Sequence, residues 1–552
     1  MKISMGMVTA SMALTLASCA STSDKTATDI GGSQQDAIQT VGVVPPPAPP
    51  APLPTRSESA APQMAVRNSA AMAQLQVMPA PPMPMQPVLR ERYDGKEVSP
   101  VHLTQSEPVS TFSVDVDTGA YANTRRFLQQ GQMPPKDAVR TEELINYFRY
   151  DYPAPQDRSV PFTVSTDMAR TPWNPDTRLL RIGLRGYDLP RAERPAANLV
   201  FLLDVSGSMN SADKLPLVKA AMRKLADGLS PQDRVSIVVY AGAAGLVLEP
   251  TSDKAKIRAA LDALQAGGST AGGAGINLAY ATAEANRIEG GVNRVILATD
   301  GDFNVGLRDQ DALIELIEQK RDSGITLSTL GFGGGNYNEA MMEQVADHGN
   351  GNYAYIDSAM EAEKVLSDEM QSTLFTIAKD VKIQVEFNPA IVSQYRLIGY
   401  ENRALREEDF DNDKVDAGDI GAGHQVTALY EIVPADVKGW IAPRRYDKDK
   451  TITSAKPGEL AFVKLRYKLP DGDTSRLIER VVPTSAMASA GPARGDMAFV
   501  SAVAAYGQLL RGDTLLGSFD YDDAIKLAGP QTDYWRQEFT RLVKLADSQS
   551  AN

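Results

Sequence analysis

The sequence predicts an α/β protein in which a doubly wound parallel sheet is flanked by, or inserted into, a β-rich α+β body. Two observations lead to this fold class. Between residues 196 and 374, short apolar runs such as "NLVFLLD" and "NRVILATD" alternate with amphipathic stretches, which is typical of a parallel sheet covered by helices on both faces. On either side of that region, apolar and polar residues alternate with period two, which predicts half-buried strands.

The N-terminus has the features of an export signal. One lysine precedes an apolar segment too short to span a membrane, and small residues lead to Cys19, the single cysteine of the 552 residues. The tetrad "LASC" at residues 16–19 resembles a bacterial lipobox, which implies a lipid on Cys19; a chance cysteine after small residues is the alternative. We expect residues 1–19 to be a lipoprotein signal peptide, and the lipid to anchor the chain in a bacterial cell envelope. Ala20 favours the outer membrane.

The composition of the chain predicts the state of the next segment and excludes some classes of partner. Residues 20–90 are rich in Pro and Ala, and such a segment buries too little apolar area to fold, so we expect a disordered tether. A Pro-rich ligand for a recognition domain is the alternative. The net charge of −13 and the absence of Lys or Arg runs argue against nucleic acid. The single cysteine excludes disulfide frameworks and cysteine-based zinc sites.

Residues 91–195 read as an N-terminal flanking domain. The stretch "VSTFSVDVD" predicts a half-buried strand, and helices are predicted over Gly119–Gln130 and Arg140–Phe148. Two further strands follow, around "FTVSTDMA" and "LLRIGLRGY". Asp115 and Asp117 share a strand face with Ser113, which predicts a plain solvent-facing edge.

The central and C-terminal regions have different periodicities. In residues 196–374 the first helix has a stripe of apolar residues at helical spacing: Leu215, Val218, Met222, Leu225 and Leu229. Residues 375–548 return to alternation and include the hairpin "LAFVKLRYKLPDGDTSRLIERVVP", followed by helices with an apolar stripe at Phe499, Val503, Tyr506 and Leu510. We expect strands before and after the central domain to join into one β-rich body.

The central domain places oxygen-bearing side chains where strands end. Asp204, Ser206 and Ser208 follow the first strand, Asp300 follows another, and Thr270 lies in the loop "GGSTAGGAG". Ligands of open parallel sheets gather at the carboxyl ends of the strands, so these segments should meet there. Two carboxylates and three hydroxyls suit Mg²⁺ or Mn²⁺ better than zinc. A cap for the following helix is the alternative. Side chains that point apart, or a neighbouring basic group that fills the site permanently, would end the metal hypothesis.

These residues also match a known pattern. "DVSGS", then Thr270, then "TDG" resemble the metal-ion-dependent adhesion site of von Willebrand factor type A (VWA) domains, whose sheet is Rossmann-like. The resemblance implies that Ser206 and Ser208 ligate directly, Thr270 directly or through water, and Asp204 and Asp300 mostly through water. It implies Mg²⁺, with Mn²⁺ or Ca²⁺ as substitutes, and a protein partner whose carboxylate completes the coordination.

The flanks extend the resemblance. "RTEELINYF" and "PWNP" before the domain, with "AVAAYGQLL" and "WRQEF" after it, are similar to a bacterial family of exported VWA lipoproteins with dedicated flanking domains, the YfbK-like proteins. The leading hypothesis is a non-enzymatic envelope lipoprotein that binds a protein through Mg²⁺. A structural scaffold with an internal or vestigial metal site is the second hypothesis, and a metal-dependent hydrolase is the third. The run "LGFGGGN" is interpreted as a backbone loop rather than a dinucleotide motif.

Overall fold

The computed structural model describes residues 91–270, 272–301, 310–335, 337–442, 444 and 456–550. The predicted signal peptide, the lipidation site Cys19 and the tether of residues 20–90 lie outside the described residues. Within the described ranges, no helix combines the length and the apolar character that crossing a membrane requires.

Residues 91–195 contain four strands and two α-helices. The elements are β1 (His102–Leu103), β2 (Val109–Ser113), α1 (Gly119–Gln129), α2 (Thr141–Asn146), β3 (Phe162–Arg170) and β4 (Arg178–Gly186). Both predicted helices are present, with the second shorter than its sequence pattern suggested.

Residues 196–374 form a six-stranded sheet with helices on both faces. Its elements are β5 (Ala197–Asp204), α3 (Leu215–Gly228), β6 (Arg234–Tyr240), β7 (Ala244–Thr251), α4 (Lys254–Ala263), α5 (Gly272–Ala285), β8 (Val292–Thr299), α6 (Gln310–Asp322), β9 (Thr326–Phe332), α7 (Glu339–His348), β10 (Tyr353–Ile356), α8 (Ala359–Glu363) and α9 (Met370–Leu374). The strand order is β10-β9-β8-β5-β6-β7, and β7 is antiparallel to β6 while the other pairs are parallel. The doubly wound prediction is confirmed.

Strand β7 was absent from the sequence prediction. It lies at the edge of the sheet, where its residues are half-buried or exposed and show no period-two burial, so the local pattern carried no strand signal. The buried strands were predicted because their apolar runs are continuous.

Side chains of the central strand β5 alternate between two helix layers. Leu199, Phe201 and Leu203 share a core with α3 and α4, whereas Val200 and Leu202 share one with α5, α6 and α7. The predicted stripe of α3 is buried along its length. Both faces of the sheet are therefore covered, and its carboxyl edge is the place left for a site.

The C-terminal region returns to strands and ends in helices. The elements are β11 (Thr376–Phe387), β12 (Val392–Ile398), β13 (Ala404–Leu405), β14 (Ile420–Gly421), β15 (Gln425–Pro434), β16 (Glu459–Lys468), β17 (Arg476–Pro483), α10 (Thr484–Ala488), α11 (Gly495–Arg511), α12 (Tyr521–Ala528) and α13 (Tyr534–Ser550). The predicted hairpin is the antiparallel pair β16 and β17.

Strands from both sides of the central domain share two sheets. One sheet has the order β1-β12-β15-β4-β3 and the other β13-β2-β11-β16-β17. In the second sheet, Phe112 of β2 is the register partner of Ile383 in β11. The prediction of one β-rich body, formed from the regions before and after the central domain, is confirmed.

The prediction of a solvent-facing edge at Ser113, Asp115 and Asp117 is wrong. All three are buried, with relative exposures of 6%, 2% and 3%. Arg403 forms ion pairs with both carboxylates, at 3.3 Å each, and Asp117 also accepts a hydrogen bond from the backbone N–H of Tyr353. Alternation marks one face as polar, but a cationic partner from elsewhere in the chain makes burial of that face possible.

Candidate metal centre

The candidate centre lies where the winding of the parallel sheet reverses. The chain passes from β5 to β6 on one side and later returns to β8, on the other side of β5. Asp204 is the last residue of β5, and Asp300 directly follows β8. The crevice at this switch point is the usual ligand site of open parallel sheets.

Asp204 organises the turn that follows β5. Its Oδ1 accepts a hydrogen bond from the backbone N–H of Ser206 at 2.8 Å, and its Oδ2 accepts one from Thr299 Oγ1 at 3.1 Å. The Oγ atoms of Ser206 and Ser208 lie 3.0 Å apart. Two neighbouring ligands of an octahedral Mg²⁺, each at about 2.1 Å from the ion, would be separated by about 3.0 Å. The spacing of these two hydroxyls therefore fits such an ion.

The loop that carries Thr270 is held against this turn by backbone hydrogen bonds. The N–H of Gly207 donates to the carbonyl of Gly268 at 3.0 Å, and the N–H of Gly267 donates to the carbonyl of Val205 at 2.8 Å. Gly268 has a φ of +87°, a conformation that favours glycine. Thr270 is 7% exposed. The structure thus brings the loop of Thr270 to the turn of the two serines.

Asp300 has a partner that the sequence analysis missed. Lys214 Nζ donates to Asp300 Oδ2 at 2.9 Å, and both side chains are buried. A basic group that filled the site permanently would contradict the metal hypothesis; this lysine pairs with one oxygen of Asp300, which counts against a centre built from the five oxygen donors alone. The hydroxyls of Ser206 and Ser208 form a hydrogen bond with each other rather than with Lys214 or Asp300. A lysine at the start of a helix, just after a hydroxyl-rich turn, was the available signal.

The helix-cap alternative is wrong for α3. The residue at its N-cap is Lys214, and no side chain caps the helix there. Ser211, which could have served as a cap, directs its hydroxyl to Asp213 at 2.5 Å. Neither the two serines nor Asp204 therefore caps α3.

Burial shapes the electrostatics of the centre. Burial raises the pKa of Asp204 above its usual value and the charge of Asp300 adds to the rise, whereas hydrogen bonds from Ser206 and Thr299 oppose it. Ser206 is buried and Ser208 is exposed, so the centre opens to solvent on one side. A carboxylate in such surroundings gains from a nearby cation.

The donor chemistry of these residues fits a hard divalent cation. Within the described ranges, His, Cys, Asp and Glu side chains form no group of three or more that could hold a metal. The predicted set depends instead on hydroxyls, which is an oxygen environment of the kind that Mg²⁺ and Mn²⁺ accept.

Comparisons with known proteins show the family of this chain. Family models match at residues 87–181 (von Willebrand factor), 198–369 (von Willebrand factor type A domain) and 372–549 (uncharacterized protein YfbK, C-terminal). The chain is 48% identical over 469 residues to the uncharacterized protein YfbK of Escherichia coli strain K12, which covers 83% of this chain and 81% of that protein. This chain belongs to the YfbK family. The YfbK C-terminal model begins near the end of the type A domain and spans β11 to α13.

Two further similarities are more partial than the one to YfbK. Over 187 residues the chain is 33% identical to the uncharacterized protein sll0103 of Synechocystis, which covers 34% of this chain and 43% of that protein. A solved structure, the von Willebrand factor type A protein from Catenulispora acidiphila, is 15% identical, covers 72% of this chain and 91% of its own, and has a TM-score of 0.37. The type A domain itself indicates a role of the interaction or adhesion type.

Proposed function

We propose that this YfbK-family chain is a non-enzymatic, lipid-anchored protein of the bacterial cell envelope that binds a protein partner through a divalent cation. The cation, Mg²⁺ or a substitute such as Mn²⁺ or Ca²⁺, would be held by the five predicted residues: Asp204, Ser206, Ser208, Thr270 and Asp300. The observation that carries the proposal is the 3.0 Å separation of the Ser206 and Ser208 hydroxyls at the mouth of the switch-point crevice.

Neutral hydroxyls make the centre suited to binding rather than to catalysis. As direct ligands they do not offset the charge of a bound divalent cation, which Asp204 and Asp300 would approach mostly through water, and a carboxylate from a partner protein would complete the coordination. Two of the three histidines contact carboxylates outside the predicted donor set: His102 contacts Glu107, and His348 contacts Glu318. Burial lowers the pKa of His424 to about 3, which keeps that ring neutral. These contacts favour binding over a hydrolase.

The anchoring part of the proposal rests on the N-terminal sequence. Cys19 in its lipobox-like tetrad would carry the lipid, and residues 20–90 would connect the anchor to the folded part of the chain. Ala20 favours the outer membrane as the location. Labelling with a palmitate analogue, lost in Cys19→Ser, would test this step by itself.

The central experiment measures metal binding and partner capture with the same variants. We expect calorimetry to detect Mg²⁺ and Mn²⁺ binding to the wild type, and Asp204→Ala and Thr270→Ala to abolish it with little loss of folding. Ser211→Ala is a matched control, because that exposed hydroxyl belongs to the same turn but contacts Asp213. Cross-linking in intact cells, followed by mass spectrometry, should capture a partner that chelator releases. Unchanged metal affinity in both variants would contradict the proposal.

A second function, a structural scaffold with an internal or vestigial site, is favoured by one observation. Lys214 already supplies a positive charge to Asp300 inside the protein, at 2.9 Å. A scaffold would keep its complexes in the presence of chelator, and the Asp204→Ala variant would capture the same proteins as the wild type. The chelator arm of the cross-linking experiment therefore separates the two functions.

A further inference from the structure

We infer that Lys214 is an internal counter-cation that keeps the affinity of the centre for a free metal ion low and couples metal binding to an anionic ligand. The inference rests on the proposed function, because it concerns the same centre. It adds a residue outside the oxygen donors and assigns it control over when the centre is loaded.

The first support is the burial of the pair. The side chain of Lys214 is 9% exposed and that of Asp300 is 1% exposed, and Nζ lies 2.9 Å from Oδ2. A lysine at the start of a helix ordinarily extends into water, and burying its ammonium is unfavourable unless a carboxylate compensates it. Here the carboxylate is one of the predicted metal-site residues.

The second support is a loop that encloses the lysine stem. Gly333 directly follows β9 and has a φ of +67°, and a Cβ atom at this position would overlap the Lys214 side-chain carbons. The Tyr355 hydroxyl donates to the Gly333 carbonyl at 2.7 Å and fixes the loop. The loop therefore packs directly on the aliphatic stem, which limits where the ammonium can go.

The loop is also held by the β-rich body. Glu91 accepts a hydrogen bond from the backbone N–H of Gly335 at 2.7 Å, and Arg126 pairs with Glu91 at 2.7 Å. Arg126 is buried on α1, outside the central domain. The placement of Lys214 consequently depends on contacts from both parts of the molecule.

The charges of these side chains set the affinity of the centre for a metal ion. Asp204 and Asp300 contribute two negative charges and Lys214 one positive charge, so these three groups sum to −1 when all are ionised. A divalent cation would leave the loaded centre with a net positive charge, which disfavours the ion alone and favours a carboxylate from outside. Without the ammonium, the ion alone would neutralise the two aspartates.

The test is a calorimetric titration of the folded chain with Mn²⁺, in chloride buffer and again with acetate added. For Lys214→Met we expect metal affinity to increase on the order of ten- to a hundred-fold and its dependence on acetate to diminish. Lys214→Arg keeps the charge and should resemble the wild type. Lys224→Met is the matched control, because Lys224 lies on the same helix in an exposed pair with Glu363. If the Met variant fails to fold, Lys214→Gln replaces it, since its amide can still donate to Asp300.

Each outcome decides the question. Tighter Mn²⁺ binding in Lys214→Met than in the wild type and Lys224→Met supports the inference. Equal affinity in all of them overturns the inference and leaves the proposed function intact. Weaker binding in Lys214→Met also overturns it, because Lys214 would then position Asp300 for the ion. If neither the wild type nor Lys214→Met binds Mn²⁺, the inference and the proposed function both fail.

Discussion

Two of the regions where the described residues bury charge are built differently. One is the metal centre; the other, here called the junction, lies between the central domain and the β-rich body and consists of Arg125, Arg140 and Arg403 with their carboxylate partners. Each junction arginine contacts three or more carboxylates, and all of these come from distant parts of the chain except Glu143, which is three residues from Arg140. The candidate metal centre contains one ammonium, two carboxylates and three hydroxyls. The junction has nine carboxylates for three guanidiniums, and burial raises the pKa of several of these carboxyls, which favours their protonated form. In the centre, the proposed function adds a cation from outside instead.

Arg125 shows most directly how the junction connects the molecule. It lies on α1 and pairs with Asp357 at 2.5 Å, with Glu361 at 2.7 Å and with Glu538 at 2.8 Å. Asp357 and Glu361 belong to the central domain, and Glu538 lies on α13. One guanidinium therefore joins the regions before, within and after the central domain.

The largest expected effect is the loss of this guanidinium. Arg125→Met would leave three buried carboxylates without their cation, and we expect the free energy of unfolding to fall by about 3–5 kcal/mol. Urea denaturation followed by fluorescence measures the change. Arg158→Met is the control, because Arg158 forms an exposed pair with Glu193 that should contribute no more than about 1 kcal/mol. Equal losses in the two variants would mean that the junction does not hold the parts together.

The same contrast explains what the sequence could and could not predict. Local periodicity identified the strands, the buried stripe of α3 and the placement of Asp204 and Asp300 at strand ends, because burial of one face repeats over a few residues. Long-range polar partners leave no such pattern. Arg403 reaches Asp115 from 288 positions away, and Lys214 reaches Asp300 from 86 positions away. The burial of Asp115 and the internal ammonium of the centre were therefore missed.

A smaller effect is expected from tightening the loop that encloses Lys214. Gly333→Ala introduces both an unfavourable positive φ and an overlap with the lysine stem, and we expect a loss of about 2–3 kcal/mol together with altered Mn²⁺ affinity. Gly335→Ala is the matched control, because its φ is +97° but a Cβ atom there meets nothing within 4 Å. Gly335→Ala should have the cost of backbone strain alone, about 1–3 kcal/mol, and unchanged Mn²⁺ affinity, so the affinity is the measurement that distinguishes the two variants. Equal Mn²⁺ affinity in the two variants would show that this loop does not determine the position of Lys214.

The junction also predicts a dependence of stability on pH. Burial raises the pKa of Glu343 to about 8 and that of Glu142 to about 7, although Arg140 lowers both. The folded state then binds protons that the unfolded state has released, so the free energy of unfolding should decrease as the pH rises from about 4.5 through 8. Urea midpoints between pH 6.5 and 8.5 measure this change together with that of Asp419, whose pKa burial also raises to about 8. His424, whose pKa burial lowers, contributes mainly below this range and with the opposite sign.

One substitution isolates the contribution of Glu343. Glu343→Gln removes a titrating group from the junction, and the decrease between pH 6.5 and 8.5 should become smaller by about 2 kcal/mol. Glu363→Gln, at an exposed pair with Lys224, should leave the slope as in the wild type. A slope that is the same in all three proteins would show that Glu343 does not hold a proton in the folded state.

The smallest effect is expected at Thr299, which supports the metal centre without belonging to its donor set. Its hydroxyl donates to Asp204 and accepts from the backbone N–H of Gly301 at 3.2 Å, so Thr299→Val should cost about 1–2 kcal/mol of stability and weaken Mn²⁺ binding about tenfold. Thr329→Val is matched in chemistry and burial, because Thr329 lies on neighbouring β9 and donates to the carbonyl of Met342 at 2.9 Å. It should lose similar stability and keep its affinity for Mn²⁺. If both variants weaken Mn²⁺ binding equally, the centre responds to general loosening of the sheet, and the orientation of Asp204 by Thr299 has no separate role.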